Sequence, residues 1–89
     1  MNALETMRFI ENAMNNELPL ATSYTDCNTI DDLVRYEVCW TERAKTIEQQ
    51  RKTRQDIIDF GKRYGAVEIR DNNINVIFLA FKPDEEVSE

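Results

Sequence analysis

Carboxylates form the clusters in this sequence that could most readily do chemistry. Paired carboxylates can act as general acid and base, or they can hold a divalent cation. Three such clusters occur, at Asp31-Asp32, at Asp56 with Asp59, and at Asp84-Glu85-Glu86. The sequence has no histidine, and no further ligands accompany these carboxylates. We therefore expect them to serve as helix caps and solvated surface.

The absence of histidine also removes the usual nucleophilic sites. Ser-His-Asp and Cys-His pairs need an imidazole base, and most zinc sites use histidine or four cysteines. Cys27 and Cys39 are twelve residues apart and cannot complete a cysteine-only zinc set within one chain. Neither GxGxxG nor GxxxxGKS/T occurs, so the usual phosphate-binding loops are missing. The sequence predicts a protein that is not an enzyme and takes no cofactor, metal or small-molecule substrate.

The 89 residues predict a single domain over 1–89, with an acidic tail at 83–89 that we expect to be frayed. A domain of this size buries only roughly 60–65% of the surface of its unfolded chain, so a partner or a second copy would add stability. No stretch approaches the roughly 20 apolar residues of a membrane span, and no signal peptide pattern is present. We expect a cytoplasmic protein with reduced Cys27 and Cys39, a regulatory disulfide being the alternative.

Apolar periodicity predicts a helix from Asn2 to about Asn15. Its stripe recurs at steps of four, three and four residues, at Ala3, Met7, Ile10 and Met14. Pro19 ends this helix. Alternating residues then indicate a short strand at 18–24, and an extended loop is the alternative.

The middle of the chain predicts a long helix. An apolar seam recurs every seven residues, at Leu33, Trp40 and Ile47. Thr29 has the pattern of an N-cap, and Gly65 that of a C-terminal cap. No Gly or Pro interrupts residues 20–60, so we favour one continuous helix to about Tyr64. The alternative is a break, with a separate helix beginning at Thr53.

Two alternating segments, AVEIR and INVIFLAF, predict a C-terminal antiparallel hairpin around the turn DNN. A two-residue turn at Asn72-Asn73 would put Val67, Ile69, Val76 and Phe78 on one face. A second apolar face would then consist of Ile77, Leu79 and Phe81, and it would need a cover. The whole predicts an α+β fold: an N-terminal helix, a long or broken second helix and this hairpin, with the strand at 18–24 as an optional third.

Charge is unevenly distributed along the chain. Residues 43–63 hold seven basic and three acidic residues, a net charge of +4 within a chain of net charge -6. The basic residues of its first part are Arg43, Lys45, Arg51, Lys52 and Arg54. They could coat an exposed helix, helped by pairs such as Glu48 with Lys52, or they could form a docking surface. Overall acidity argues against strong non-specific nucleic-acid binding.

We expect a protein partner that binds this basic segment together with Ile77, Leu79 and Phe81, and the protein could act as a homodimer. Carboxylates offer an opposite surface for a basic groove, at Glu5, Glu11, Glu17, Asp26, Asp31, Asp32, Glu37 and Glu42. In size and charge only, the chain resembles small phage-encoded inhibitors. That resemblance implies a regulator or inhibitor of a protein that handles nucleic acid.

The alternative is a winged-helix-like nucleic-acid-binding protein that uses the helix at 53–64 and the hairpin at 66–81. Phosphate contacts would come from four basic residues, Arg54, Lys62, Arg63 and Arg70. Asn72 or Asn73, at the tip of the wing, would reach the groove. Net acidity and the lack of an upstream helix-turn-helix pattern count against this alternative.

Overall fold

Two helices and four strands make up the computed structural model, which describes residues 3–26, 33–72 and 75–83. The elements are α1 (Ala3–Glu17), β1 (Thr22–Asp26), β2 (Val34–Cys39), α2 (Ile47–Arg63), β3 (Glu68–Asp71) and β4 (Val76–Phe81). The strands form one antiparallel sheet in the order β1-β2-β4-β3. A helix followed by two strands therefore occurs twice, and the last strand of each unit lies at the centre. The predicted α+β class is confirmed.

Helix α1 follows the predicted apolar stripe. Thr6, Ile10 and Met14 are buried, and the helix continues to Glu17. The short strand after Pro19 also exists, although β1 begins four residues later than predicted and ends two residues later. Neither helix in the described ranges combines the length and apolar character that a membrane crossing needs.

The prediction of one long helix to Tyr64 is wrong, because residues 34–39 form strand β2. Val34, Tyr36 and Val38 are buried, with less buried residues between them. This period of two, carried by β-branched and aromatic residues, favours a strand. The seven-residue spacing of Leu33, Trp40 and Ile47 is coincidental. Trp40 is buried as predicted, but it directly follows a strand.

Helix α2 begins at a capping box. The N–H of Gln49 donates to Oγ1 of Thr46 at 3.0 Å, and the N–H of Thr46 donates to Oε1 of Gln49 at 3.2 Å. The predicted start at Thr53 is wrong, because this residue lies buried inside α2. The predicted N-cap at Thr29 lies outside the described residues.

Gly65 ends α2 as predicted. Its φ of +78° is a conformation that glycine adopts without strain. The N–H of Gly65 donates to the Lys62 carbonyl at 3.3 Å, and the N–H of Ala66 donates to the Gly61 carbonyl at 2.8 Å. These two bonds form a Schellman motif and satisfy carbonyls that the helix end would otherwise leave unpaired.

The hairpin of β3 and β4 is confirmed, but its predicted faces are wrong. Asp71 pairs with Ile77 and Ile69 pairs with Leu79, whereas a two-residue turn at 72–73 would pair Asp71 with residue 74. The difference is three residues, and an odd shift moves every side chain to the other face. Ile69 therefore shares a face with Leu79 rather than with Phe78.

Both helices cover the face that carries Ile77, Leu79 and Phe81. These three side chains are at most 2% exposed. Helix α2 approaches closely through Gly61, where a Cβ would lie 3.0 Å from Cδ2 of Leu79. On the α1 side, the hydroxyl of Tyr36 donates to the Met7 carbonyl at 3.1 Å. The cover that this face was expected to need is therefore supplied by the chain's own helices.

Candidate functional site

The other face of the sheet carries the candidate site. Cross-strand register places ten residues with described side chains on it. They are Thr22, Tyr24, Arg35, Glu37, Cys39, Glu68, Arg70, Val76, Phe78 and Ala80, and we call this surface the open face. Both helices pack on the opposite side, so within the described residues no helix lies over it.

A row of four residues crosses the middle of the open face. Tyr24, Glu37, Phe78 and Arg70 are consecutive register partners from β1 to β3. Phe78 is half-buried at the centre of the row, with an acid on one side and a base on the other. A shallow cavity of about 90 Å³ lies beside Phe78, lined in part by Arg35, Glu37, Glu68 and Arg70.

The neighbouring row is held by an ion pair. Nη1 of Arg35 donates to Oε1 of Glu68 at 2.8 Å, across the intervening strand β4. The residue between them is Ala80, which is 1% exposed although it lies on the open face. Its small side chain leaves room for the pair to pass over it. Arg70 lies 3.6 Å from the second carboxylate oxygen of Glu68, so charges of alternating sign surround Phe78.

This charge arrangement decides which ligands suit the open face. Arg35 and Arg70 balance Glu37 and Glu68, so these four side chains have no net charge at neutral pH. A polyphosphate would meet two carboxylates, and a uniformly basic groove would meet two guanidinium groups. A polypeptide surface with both signs of charge and an apolar side chain is complementary to it.

Cys39 gives the open face no reactive thiol. Burial, followed by the nearby charges of Glu37 and Glu42, raises the pKa of its thiol. The thiol is therefore protonated at neutral pH and is a weak nucleophile. No group of three metal-ligating side chains occurs among the described residues. Cys27 lies outside them, as does most of the predicted tail at 83–89.

The five basic residues of the predicted docking segment do not form one patch. Successive helical residues turn by about 100°, so Lys52 faces a different side of α2 from Arg51 and Arg54, which are neighbours three residues apart. Arg54 forms an ion pair with Asp71 on β3, and Lys52 pairs with Asp56 at 2.8 Å.

The other two members of the segment precede the helix. Nη1 of Arg43 lies 3.4 Å from the Pro19 carbonyl, and Lys45 is exposed. The five side chains coat α2 and the residues before it, on the side of the sheet away from the open face.

The three apolar residues of the predicted contact surface are unavailable to a partner. Ile77, Leu79 and Phe81 form the centre of the core, where they contact the chain's own helices. This burial corrects their assignment as partner-binding residues.

The residues of the nucleic-acid alternative lie on two sides of the sheet. Lys62 and Arg63 are on α2, and Arg63 forms an ion pair with Glu17 of α1. Arg70 lies on the open face. Asn72 is exposed at the end of β3, and Asn73 lies outside the described residues. The fold therefore does not bring these residues together as one nucleic-acid surface.

The acidic residues are also dispersed. Oε2 of Glu11 accepts a hydrogen bond from Oγ1 of Thr25 at 2.7 Å. The carboxylate of Glu17 accepts hydrogen bonds from Arg63 and from the hydroxyl of Tyr64. Glu37 lies on the open face. Asp31 and Asp32 fall outside the described ranges. The acids with described side chains therefore do not form the one acidic surface that the sequence suggested.

Sequence reasoning missed Arg35, Glu68 and Phe78 as members of one site. The alternation VRYEVC was a usable signal, because it puts Arg35 and Glu37 on the face opposite Val34, Tyr36 and Val38. Their convergence with β3 depends on the long-range pairing of β2 with β4. Comparisons of the chain with family models, with curated proteins and with solved structures find no match.

Proposed function

We propose that this is a non-enzymatic binding protein that recognises a protein partner through the open face of its sheet. The observation that supports the proposal is the setting of Phe78, half-buried at the centre of the face between Glu37 and Arg70. An aromatic residue surrounded by charged side chains is the usual composition of an interface anchor and its rim.

The partner surface that fits has an apolar side chain to cover Phe78, with a basic and an acidic residue beside it. Burial of Phe78 would supply most of the affinity, and the charges would fix orientation and exclude partners of one sign. We propose further that the protein acts inside the cell as a regulator or inhibitor. Its target would be a protein that handles nucleic acid.

Affinity purification from native cells, followed by mass spectrometry, tests the proposal when variants of the two competing surfaces are compared. Phe78→Ala removes the anchor of the open face. The exchange Glu37→Lys with Arg70→Glu reverses its charges while the net charge stays constant. On α2, the exchange Arg51→Glu with Glu48→Lys likewise reverses two charges at exposed positions and keeps the net charge constant.

We expect both open-face variants to lose the partner, with binding weakened at least about tenfold for Phe78→Ala. The α2 exchange should bind as the unaltered protein does. Retention by the open-face variants, or loss only with the α2 exchange, contradicts the proposal. A salt-dependent shift of duplex DNA that is lost on Arg63→Glu and Arg70→Glu would favour the nucleic-acid alternative instead.

A further inference from the structure

The two edges of the sheet differ in how they resist pairing with another strand. Strand β3 has only four residues, and it begins with a bulge. The N–H of Val67 donates to the Ala80 carbonyl at 2.8 Å, although Glu68 is the register partner of Ala80. Short length, a bulge and charged side chains are the means by which proteins block edge pairing.

Strand β1 has no bulge, and its only charged residue is Asp26 at its end. Its five residues, TSYTD, pair one-to-one with β2 from Thr22 opposite Cys39 to Asp26 opposite Arg35. The strand contains no Pro, Gly or Lys, and Thr and Tyr favour extended backbone. Within the described ranges β1 pairs on one side only, so its other side offers a row of backbone donors and acceptors.

We propose that this side of β1 pairs with β1 of a second copy of the chain, in an antiparallel two-fold arrangement centred on Tyr24. This register is the one in which all five residues of β1 find a partner. It places Thr22 opposite Asp26 and Ser23 opposite Thr25, so the single charged residue of the strand meets a neutral residue. The sequence of β1 is thus compatible with its own copy in the way that a two-fold interface requires.

The pairing would join two sheets into one sheet of eight strands. Because opposed residues share a face, Tyr24 of each copy lies on the open face beside Tyr24 of the other. The row of Tyr24, Glu37, Phe78 and Arg70 then continues across the two-fold axis into the same row in reverse order. Aromatic pairs directly opposite each other stabilise neighbouring strands, so Tyr24 is the central contact of the dimer.

Sedimentation equilibrium over a wide range of protein concentration tests the proposal. We expect reversible association of the unaltered chain, and about tenfold weaker association for Tyr24→Lys, which replaces an aromatic pair with two like charges. Val67→Lys is the matched control, because Val67 is 56% exposed and Tyr24 is 55% exposed, and Val67 lies at the bulged edge. Mixing Tyr24→Lys with Tyr24→Glu should restore association as a heterodimer.

A second measurement does not depend on the strength of association. Residues directly opposite in antiparallel strands have Cα atoms about 4.5–5.5 Å apart, within the range that a disulfide spans. In a Cys27→Ser, Cys39→Ser background, Tyr24→Cys should form an intermolecular disulfide on mild oxidation, whereas Val67→Cys should not. A chain that stays monomeric at every concentration overturns the proposal. Equal effects of the two lysine variants, or no rescue in the mixture, would place any association elsewhere and overturn it as well.

Discussion

The two faces of strand β4 have similar apolar residues and opposite environments. In β4, Ile77 and Leu79 are at most 1% exposed under the helices, while Val76 and Phe78 alternate with them on the open face and are half-buried. Hydrophobicity alone does not tell these positions apart. What separates them is the cross-strand register and the helices that pack on one side, so a strand that is apolar throughout needs tertiary information before its faces can be assigned.

The largest expected effect on stability comes from replacing Leu79 and Phe78, which are adjacent in β4 and lie on opposite faces. Leu79→Ala should lower the free energy of unfolding by about 2–5 kcal/mol, because it leaves a cavity in the core. Phe78→Ala should cost well under half as much, because its side chain is only partly buried. Urea denaturation of both variants measures the difference. Equal losses would mean that the face assignment is incorrect.

Close packing of α2 is confined to the covered face and can be tested at Gly61. A Cβ here would lie 3.0 Å from Leu79 and 3.1 Å from Ile69 side-chain atoms. The larger side chain of Gly61→Val should therefore push α2 away and cost about 1–3 kcal/mol through overpacking. Thermal unfolding reports this cost. A neutral result would show that α2 has room to shift.

The ion pair on the open face should contribute much less than the core contacts. Arg35 and Glu68 are about one-third exposed, and pairs of this kind are worth at most about 1 kcal/mol. Glu68→Gln should lower stability by no more than that, and the loss should shrink at high salt as the pair is screened. A salt-independent loss would indicate a packing role for Glu68 over Ala80.

The smallest effect concerns the thiol on the open face. The pKa of Cys39 is raised by burial and by Glu37 and Glu42, so the folded state favours the protonated thiol. The associated stability is complete below the unfolded pKa, whose ordinary value is 9.0, and it is lost as pH rises through the higher folded pKa. In a Cys27→Ser variant, alkylation of Cys39 should be slower than that of the unfolded chain at pH 8. Equal rates would contradict the shift.

Local signals were sufficient for those elements whose ends are marked by the sequence itself. The stripe of α1, the Gly65 cap and the two strands of the hairpin were all predicted. Strand β2 was missed, because LVRYEVCW fits both a period of two and an apolar repeat every seven residues. Helical propensity and the absence of Gly or Pro favoured the seven-residue repeat, and therefore a helix, which was wrong. The capping box at Thr46 and Gln49 was overlooked.

The candidate site could not be predicted from the sequence for a different reason. Arg35 and Glu68 are separated by 33 residues, and they meet only because β2 pairs with β4 and β4 pairs with β3. The hairpin register that fixes the face of Phe78 depends on a turn longer than two residues, and the bulge at Val67 then changes the pairing at the start of β3. Neither feature has a distinct sequence signature.

The central position of β4 has a consequence for synthesis of the protein. Its pairing partners in β2 precede it by 37 to 47 residues, from Cys39 with Val76 to Val34 with Phe81. On the ribosome, α1 and the first hairpin therefore emerge long before the strand that completes their core. Until Phe81 has left the exit tunnel, the apolar side of β2 is without its main neighbour, and the nascent chain at that stage is a natural client for chaperones.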